Sequence, residues 1–455
     1  MITLLKSIDK NLILFFISTF VSKSISILLL PIYSRSLSIS EYGHLDVYLT
    51  MLMLLLPIVT AALYESVLKY SLEGKFRNKE IISTALTILC VNTVVLLLFS
   101  GIIYLYNSSI SVLIFLAILF FMSVFEILCK FSNGTERTII YAKSNIIVSI
   151  TLAIGVYSFV YNQNYGLDGV LISYLVSYFL GIVYLTVKLS IRKEFSFFSF
   201  NYKVLKQMLS ISAPLIPNAV MWWIFNAGDR LMILYFSGSD EVGLYSVSNK
   251  VSALVMVCHT VIFQYWQVRA VKERGNLQFY SSVCQSYYLF MLCVVSFMIS
   301  INQDLLALIL TDEYSMAWEV GNWLVFSSLF FSLASFIGVF FVVYNATKIA
   351  LKTSIYAAVV NVIFNFLLIP QFGAYGAAIS TLISTVFILC SRLFPVLRII
   401  KIKLDSKIML ILPVLIFLQI ISIIAIEEYL ISYLLSALFF FFLIRDLVIR
   451  FKCER

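Results

Sequence analysis

Residues 211–250 read ISAPLIPNAVMWWIFNAGDRLMILYFSGSDEVGLYSVSNK, and this stretch decides what kind of molecule the chain is. It is long enough to cross a bilayer, yet it holds Pro214, Pro217, Asn218, Asn226, the adjacent Asp229 and Arg230 and, past a short turn, Lys250. A charge near the centre of a membrane helix costs about 2.5–3.5 kcal/mol. A span that accepts such groups is expected to face water or a polar ligand and to form one wall of a path across the membrane.

The surrounding composition agrees. Of 455 residues, 62% are hydrophobic and 12% charged, with a mean hydropathy of +1.01. So much apolar surface places the chain among polytopic membrane proteins. Unbroken runs such as Ile408–Ile426 and Tyr429–Leu443 indicate helices, because barrel strands alternate over about ten residues. Fourteen spans are expected, near 11–33, 43–65, 82–106, 109–129, 144–161, 167–187, 209–236, 243–266, 278–301, 317–344, 353–370, 375–397, 408–426 and 429–447. The first lacks a signal-cleavage pattern and is expected to remain as an anchor.

With the N-terminus placed in the cytoplasm, 28 of the 32 Lys and Arg fall on the inner side. Arg35 is outside, and Lys23, Arg230 and Lys250 lie within spans. This distribution follows the positive-inside rule and puts both ends of the chain inside. The basic excess is therefore topological and argues against nucleic-acid binding. Seven scattered cysteines form no metal-ligand spacing and read as small buried hydrophobes. No nucleophile elbow, phosphate-cradling loop or metal motif marks a catalytic residue.

The chain repeats itself. Glu41-Tyr-Gly43-His-Leu-Asp-Val47 has a counterpart in Glu241-Val-Gly243-Leu-Tyr-Ser-Val247. Gly166-Leu-Asp-Gly169-Val-Leu-Ile-Ser173 matches Gly373-Ala-Tyr-Gly376-Ala-Ala-Ile-Ser380. Each pair falls at the same place in its half, where glycine opens a helix after a tight turn. The expected plan is two six-span lobes in parallel repeat, 1–200 and 201–405, followed by two further helices in 406–455.

These motifs, with the N-x-x-D-R segment of the seventh span, resemble the polysaccharide flippases of the multidrug/oligosaccharidyl-lipid/polysaccharide exporter superfamily, in particular the Wzx-type translocases of O-antigen and capsule repeat units. The resemblance implies a cavity lined by the first, second, seventh and eighth helices, opened to either side by rocking lobes. It implies a cargo of undecaprenyl-diphosphate-linked oligosaccharide, moved across the bacterial inner membrane for assembly of O-antigen, lipopolysaccharide or capsule. The polysaccharide polymerase and chain-length machinery would be partners, alongside membrane lipids.

Such a cargo needs cations for its phosphates and polar or aromatic groups for its sugars. Lys23, Arg230 and Lys250 meet the first need, on three of the helices named. Thr19, Ser22, Lys23 and Ser26 form one helical stripe, although a stripe of this kind also suits helix packing. Asn218, Trp222, Asn226 and Asp229 share a sector of about 80° at 100° per residue, with Arg230 beside it. Asp229 either neutralises Arg230 or links transport to H+ or Na+, the only candidate cofactors. Adjacent residues point about 100° apart, which leaves each available to other partners. Gln264 shares a face with Lys250, whereas His259 points away from both and reads as a packed helix contact. Glu126–Lys130 and Glu65–Lys69 have the favourable i, i+4 order. Asn361 and Asn365, one turn apart, suit interhelical bonding as well as sugar. Open alternatives are a peptidoglycan-precursor (lipid II) flippase, a drug/cation antiporter of the same superfamily, and a membrane polysaccharide polymerase or ligase.

Overall fold

The computed structural model describes residues 25, 28–104, 110–191, 195–196, 199–344, 346–400, 406–426 and 429–453. Every regular element among them is helical. In chain order these are α1 (Leu30–Ser36), α2 (Ile39–Val59), α3 (Leu63–Glu73), α4 (Asn78–Tyr104), α5 (Ile110–Gly134) and α6 (Thr138–Gly155), which runs on into a π-helical turn, Val156–Asn162. There follow α7 (Gly166–Lys188), α8 (Tyr202–Ser212), α9 (Leu215–Ser237), α10 (Ser239–Lys272) and α11 (Leu277–Ile309). The last four are α12 (Ala317–Val343), α13 (Thr347–Ile399), α14 (Ser406–Ile426) and α15 (Tyr429–Cys453).

Among the described residues nine helices are long and apolar enough to cross a membrane. They account for ten of the fourteen expected spans, because α13 is two arms that reverse at Gly373 (φ 54°). Most of the first expected span lies outside the described residues. The seventh corresponds to α9, and the last two to α14 and α15.

Contacts divide the chain into two units, Met1–Ala227 and Gly228–Arg455. In the first, α7 packs against α5 and α6, and α3 packs against α5. The amphipathic α8 lies on α3, where Ser66 Oγ donates to Met208 O (2.8 Å) and Tyr70 OH donates to Gln207 O (3.3 Å). In the second unit α12 is the most deeply buried span and packs against α10, α11 and α13. Trp266 of α10 stacks on Phe336 of α12 at 4.5 Å and donates to the Phe336 carbonyl (2.9 Å).

Two of the expected spans are broken, the seventh where Pro214 and Pro217 are expected to kink it and the second where no break is expected. The seventh divides at Ala213–Pro214 into α8 and α9, since proline withholds the N–H that would continue the ladder. The second stops after Val59, and Ala61 and Ala62 both take left-handed conformations (φ 48° and 49°) before α3 begins. For an alanine this conformation costs roughly 1–2 kcal/mol per residue. The break has compensation built around it: Asn92 Nδ2 of α4 donates to Val59 O (2.8 Å), and Ala62 N–H donates to Pro57 O (2.7 Å). The repeat counterpart α10 runs 34 residues without interruption.

The two repeated motifs meet in space. In the second unit Glu241 Oε2 accepts the N–H of Ala374 (2.8 Å), so the acidic residue that opens α10 caps the turn inside α13. A Cβ on Gly373 would come within 2.4 Å of that oxygen. In the first unit Glu41 closes a capping box with Ser38, and a Cβ on Gly166 (φ 52°) would lie 2.9 Å from Glu41 Oε1. The Glu-x-Gly turn and the Gly-x-x-Gly turn are two sides of one closure, made once in each unit.

The last two helices are joined to α11 by a buried polar network. Gln419 of α14 accepts from Ser296 Oγ (2.8 Å) and donates to Ser300 Oγ (3.0 Å) and Ser432 Oγ (2.8 Å). Ser300 and Ser436 share a further bond (2.7 Å). Small hydroxyls let the backbones approach while satisfying each other in a medium without water.

Candidate functional site

The centre of the candidate site is the C-terminal half of α9 and the start of α10, joined at Gly238 (φ 92°). Asp229 is only 6% exposed. Its Oδ1 accepts from the Arg230 backbone N–H (2.9 Å) and from Arg230 Nη1 (3.3 Å). Its Oδ2 accepts from Tyr245 OH of α10, and the Arg230 guanidinium lies 5.6 Å from the centre of the Tyr245 ring. The two charges are therefore joined, although their Cα–Cβ directions diverge: a three-carbon stem lets the guanidinium curl back onto the neighbouring carboxylate. The phenol, which the sequence reading missed, supplies the second contact to each. A buried carboxylate that needs a neutral donor is the signal that could have drawn attention to Tyr245.

Lys250 lies half-buried on α10. Ser248 and Ser252, on either side of it, bond to the α12 carbonyls of Ala317 (2.7 Å) and Leu324 (3.2 Å). His259, farther along α10, is 4% exposed, pairs through Nδ1 with Tyr287 OH (2.5 Å) and packs against Phe263. Asn218, Trp222 and Asn226 lie on α9 and Gln264 on α10; their side chains are outside the described set. Thr19, Ser22, Lys23 and Ser26 lie outside the described residues.

The carboxylate pairings differ from those expected of i, i+4 spacing. Lys130 Nζ donates to Glu65 Oε1 (2.8 Å), reaching from α5 to α3, with the Tyr64 ring 5.5 Å away. Lys69 pairs at 3.8 Å with Glu73 rather than with Glu65. A close partner on a packed neighbour outweighs a pair worth about 0.2–0.5 kcal/mol along one helix. Asn361 donates to Ser384 Oγ (3.4 Å) between the arms of α13, and Asn365 donates to Asn361 (3.1 Å). No cluster of three or more His, Cys, Asp or Glu suited to a metal occurs among the described residues.

The arrangement offers a neutralised ion pair backed by an aromatic ring, on a predominantly apolar helix. Comparison with known proteins gives this geometry a setting. The sequence pattern of the family described as "Polysaccharide biosynthesis protein" matches residues 8–266, more than half of the chain. The chain belongs to this family. No curated protein matches its sequence. Among solved structures, the polysaccharide biosynthesis chain is similar to the lipid II flippase MurJ in an inward closed conformation. That match has a TM-score of 0.72 at 16% identity and covers 96% of this chain and 100% of the other. An inward-facing multidrug resistance MATE transporter of the MOP superfamily matches with a TM-score of 0.65 at 12% identity, covering 83% and 94%. A MOP superfamily transporter from Pyrococcus furiosus matches at 0.56 and 13% identity, covering 86% and 96%. The expected helical exporter fold is thus observed, and the resemblance read from the motifs holds for family and fold.

Proposed function

We propose that this polysaccharide biosynthesis protein is a flippase that moves undecaprenyl-diphosphate-linked oligosaccharide from the cytoplasmic to the outer leaflet of the bacterial inner membrane by alternating access, for O-antigen or capsule assembly. Family membership over residues 8–266 carries the reading. The charged pair Asp229–Arg230 within the membrane supports it, because a polyprenyl tail can stay in lipid while a diphosphate needs a cation. In this reading Lys23, Arg230 and Lys250 receive phosphate or acidic sugar. The polar residues Thr19, Ser22, Ser26, Asn218, Trp222, Asn226 and Gln264 line the path. Asp229, which already accepts from Tyr245 and Arg230, is the group through which H+ or Na+ would be linked. Both termini lie in the cytoplasm, and the product passes to the polymerase.

The test is genetic and chemical together. Deletion should remove surface polysaccharide and leave lipid-linked repeat units on the inner leaflet, and the wild-type gene should restore export. Unchanged surface polymer in the deletion strain would refute the assignment. A peptidoglycan-precursor flippase is the second reading, favoured by the fit to MurJ along 96% of the chain. Rescue of a strain depleted of its lipid II flippase would select it.

A further inference from the structure

Between Glu319 and Asp405 the chain contains no Asp or Glu, but it does contain Lys348, Lys352, Arg392, Arg398, Lys401 and Lys403. This acid-free stretch comprises almost all of α12 and the whole of α13. Lys348 and Lys352 open the first arm of α13, and Arg392 and Arg398 lie near the end of the second. All four therefore gather at one end of the two arms, the end that the charge distribution assigns to the cytoplasm.

Arg392 is fixed there by two neighbouring segments, α12 and the first arm of α13. Nη1 donates to Ala334 O of α12 (2.9 Å), Nη2 to Ser354 Oγ (2.9 Å) and Nε to Thr353 Oγ1 (3.4 Å). A Cβ on Gly338 would fall 2.8 Å from Nη1, so the absence of a side chain at Gly338 makes the notch in which the guanidinium sits. All three acceptors are neutral, and no carboxylate among the described residues forms an ion pair with Arg392. Among the described residues three of its five N–H groups are used, which leaves two donors for a further acceptor. Glu241 and Asp229, charged side chains that also make interhelical bonds in this unit, are both anions that accept from donors. A guanidinium held in a shaped notch, among other cations and at the headgroup level, needs an anion.

We propose that Arg392 binds the phosphate of a membrane lipid, its remaining N–H pair facing the headgroup and Lys348 and Lys352 adding flanking positive charge. The planar fork suits two phosphate oxygens at once, and the cytoplasmic leaflet is where anionic headgroups concentrate. The phosphate has two sources: an anionic phospholipid of the bilayer, or the diphosphate of a polyprenyl carrier waiting to be loaded. The site does not depend on which saccharide is exported, nor on the assignment of Arg230 to cargo.

The experiment uses the full-length protein in phosphatidylcholine nanodiscs, with lipid binding read by native mass spectrometry and by thermal unfolding. The probes are phosphatidylglycerol, undecaprenyl diphosphate and, as a neutral control, added phosphatidylcholine. At least one phosphate probe should bind and raise the Tm, and R392Q should weaken that binding about tenfold, equal to about 1.4 kcal/mol. K348Q/K352Q, altering two residues that make no described ion pair, should weaken it about fivefold or more and serves if R392Q does not fold. A gain from phosphatidylglycerol lost in R392Q identifies the bilayer lipid, and a gain confined to undecaprenyl diphosphate identifies the carrier. Equal binding of both phosphate probes to wild type and to every folded variant overturns the proposal, as does no preference over phosphatidylcholine in the wild type.

Discussion

Glu241 Oε2 and the N–H of Ala374 are hydrogen-bonded at 2.8 Å across 133 residues of chain, and Gly373 lies beneath the carboxylate with φ 54°. A side chain at Gly373 would incur backbone strain and also displace the acceptor. Gly74 has a similar φ of 63° and nothing within 4 Å of a notional Cβ, so Gly74→Ala isolates the strain alone. We expect Gly74→Ala to cost about 1–2 kcal/mol and Gly373→Ala more, seen as a larger fall in Tm in detergent. Equal falls would show that the Glu241 contact does not constrain the turn.

The buried Asp229 loses its countercharge in Arg230→Ala. Breaking such a pair from one side typically costs about 3–5 kcal/mol, so this variant should be poorly folded as well as inactive. Asp229→Asn combined with Arg230→Gln removes both charges and should recover most of the lost stability. Surface polysaccharide then separates structure from transport: a folded but inactive double variant shows that the charged pair is needed for export beyond folding, and full export from it removes both Arg230 and Asp229 from their proposed roles.

Ala61 and Ala62 occupy backbone conformations that suit glycine. Ala61→Gly and Ala62→Gly should each stabilise the broken helix by about 1 kcal/mol, less the extra chain entropy of glycine. Asn92→Ala should do the opposite by about 1–3 kcal/mol, because Val59 O would be left without its donor. Thermal unfolding of the three variants checks the order, and a drop in Tm for both glycine variants would contradict the strained turn.

Gln419 is fully buried among serines of α11 and α15, whereas Leu418 on the same helix is 52% exposed. Gln419→Leu should cost about 1–3 kcal/mol, since several hydroxyls lose a partner. Leu418→Ala, facing outward, should change Tm little. The contrast between adjacent positions tests whether the polar network, rather than general apolar contact, joins α14 to α11.

Hydropathy and charge placement were enough to read a polytopic helical membrane protein, because apolar runs and lysine positions are local properties of the chain; the exporter family came from the resemblance of its short motifs. The Glu-x-Gly and Gly-x-x-Gly repeats were also legible, but not their partnership, which spans more than a hundred residues in each unit. The second span looked continuous because alanine is the best helix former, and one of the bonds that compensate the break comes from the side chain of Asn92 on another helix. Lys130 was assigned to Glu126 by spacing, whereas it lies 2.8 Å from Glu65 on α3. Asp229 and Arg230 were legible as residues that matter, and their direct pairing was one of two readings; the Tyr245 hydroxyl that also bonds Asp229 comes from the next helix, which residue spacing does not encode.

The uninterrupted α10 and the interrupted α2–α3 give the duplicated halves different mechanics. A 34-residue helix without a break is a stiff lever, carrying displacement from one end to the other. Its counterpart has a joint after Val59, where compliance concentrates. Two segments that share a sequence motif can thus differ in where they would bend.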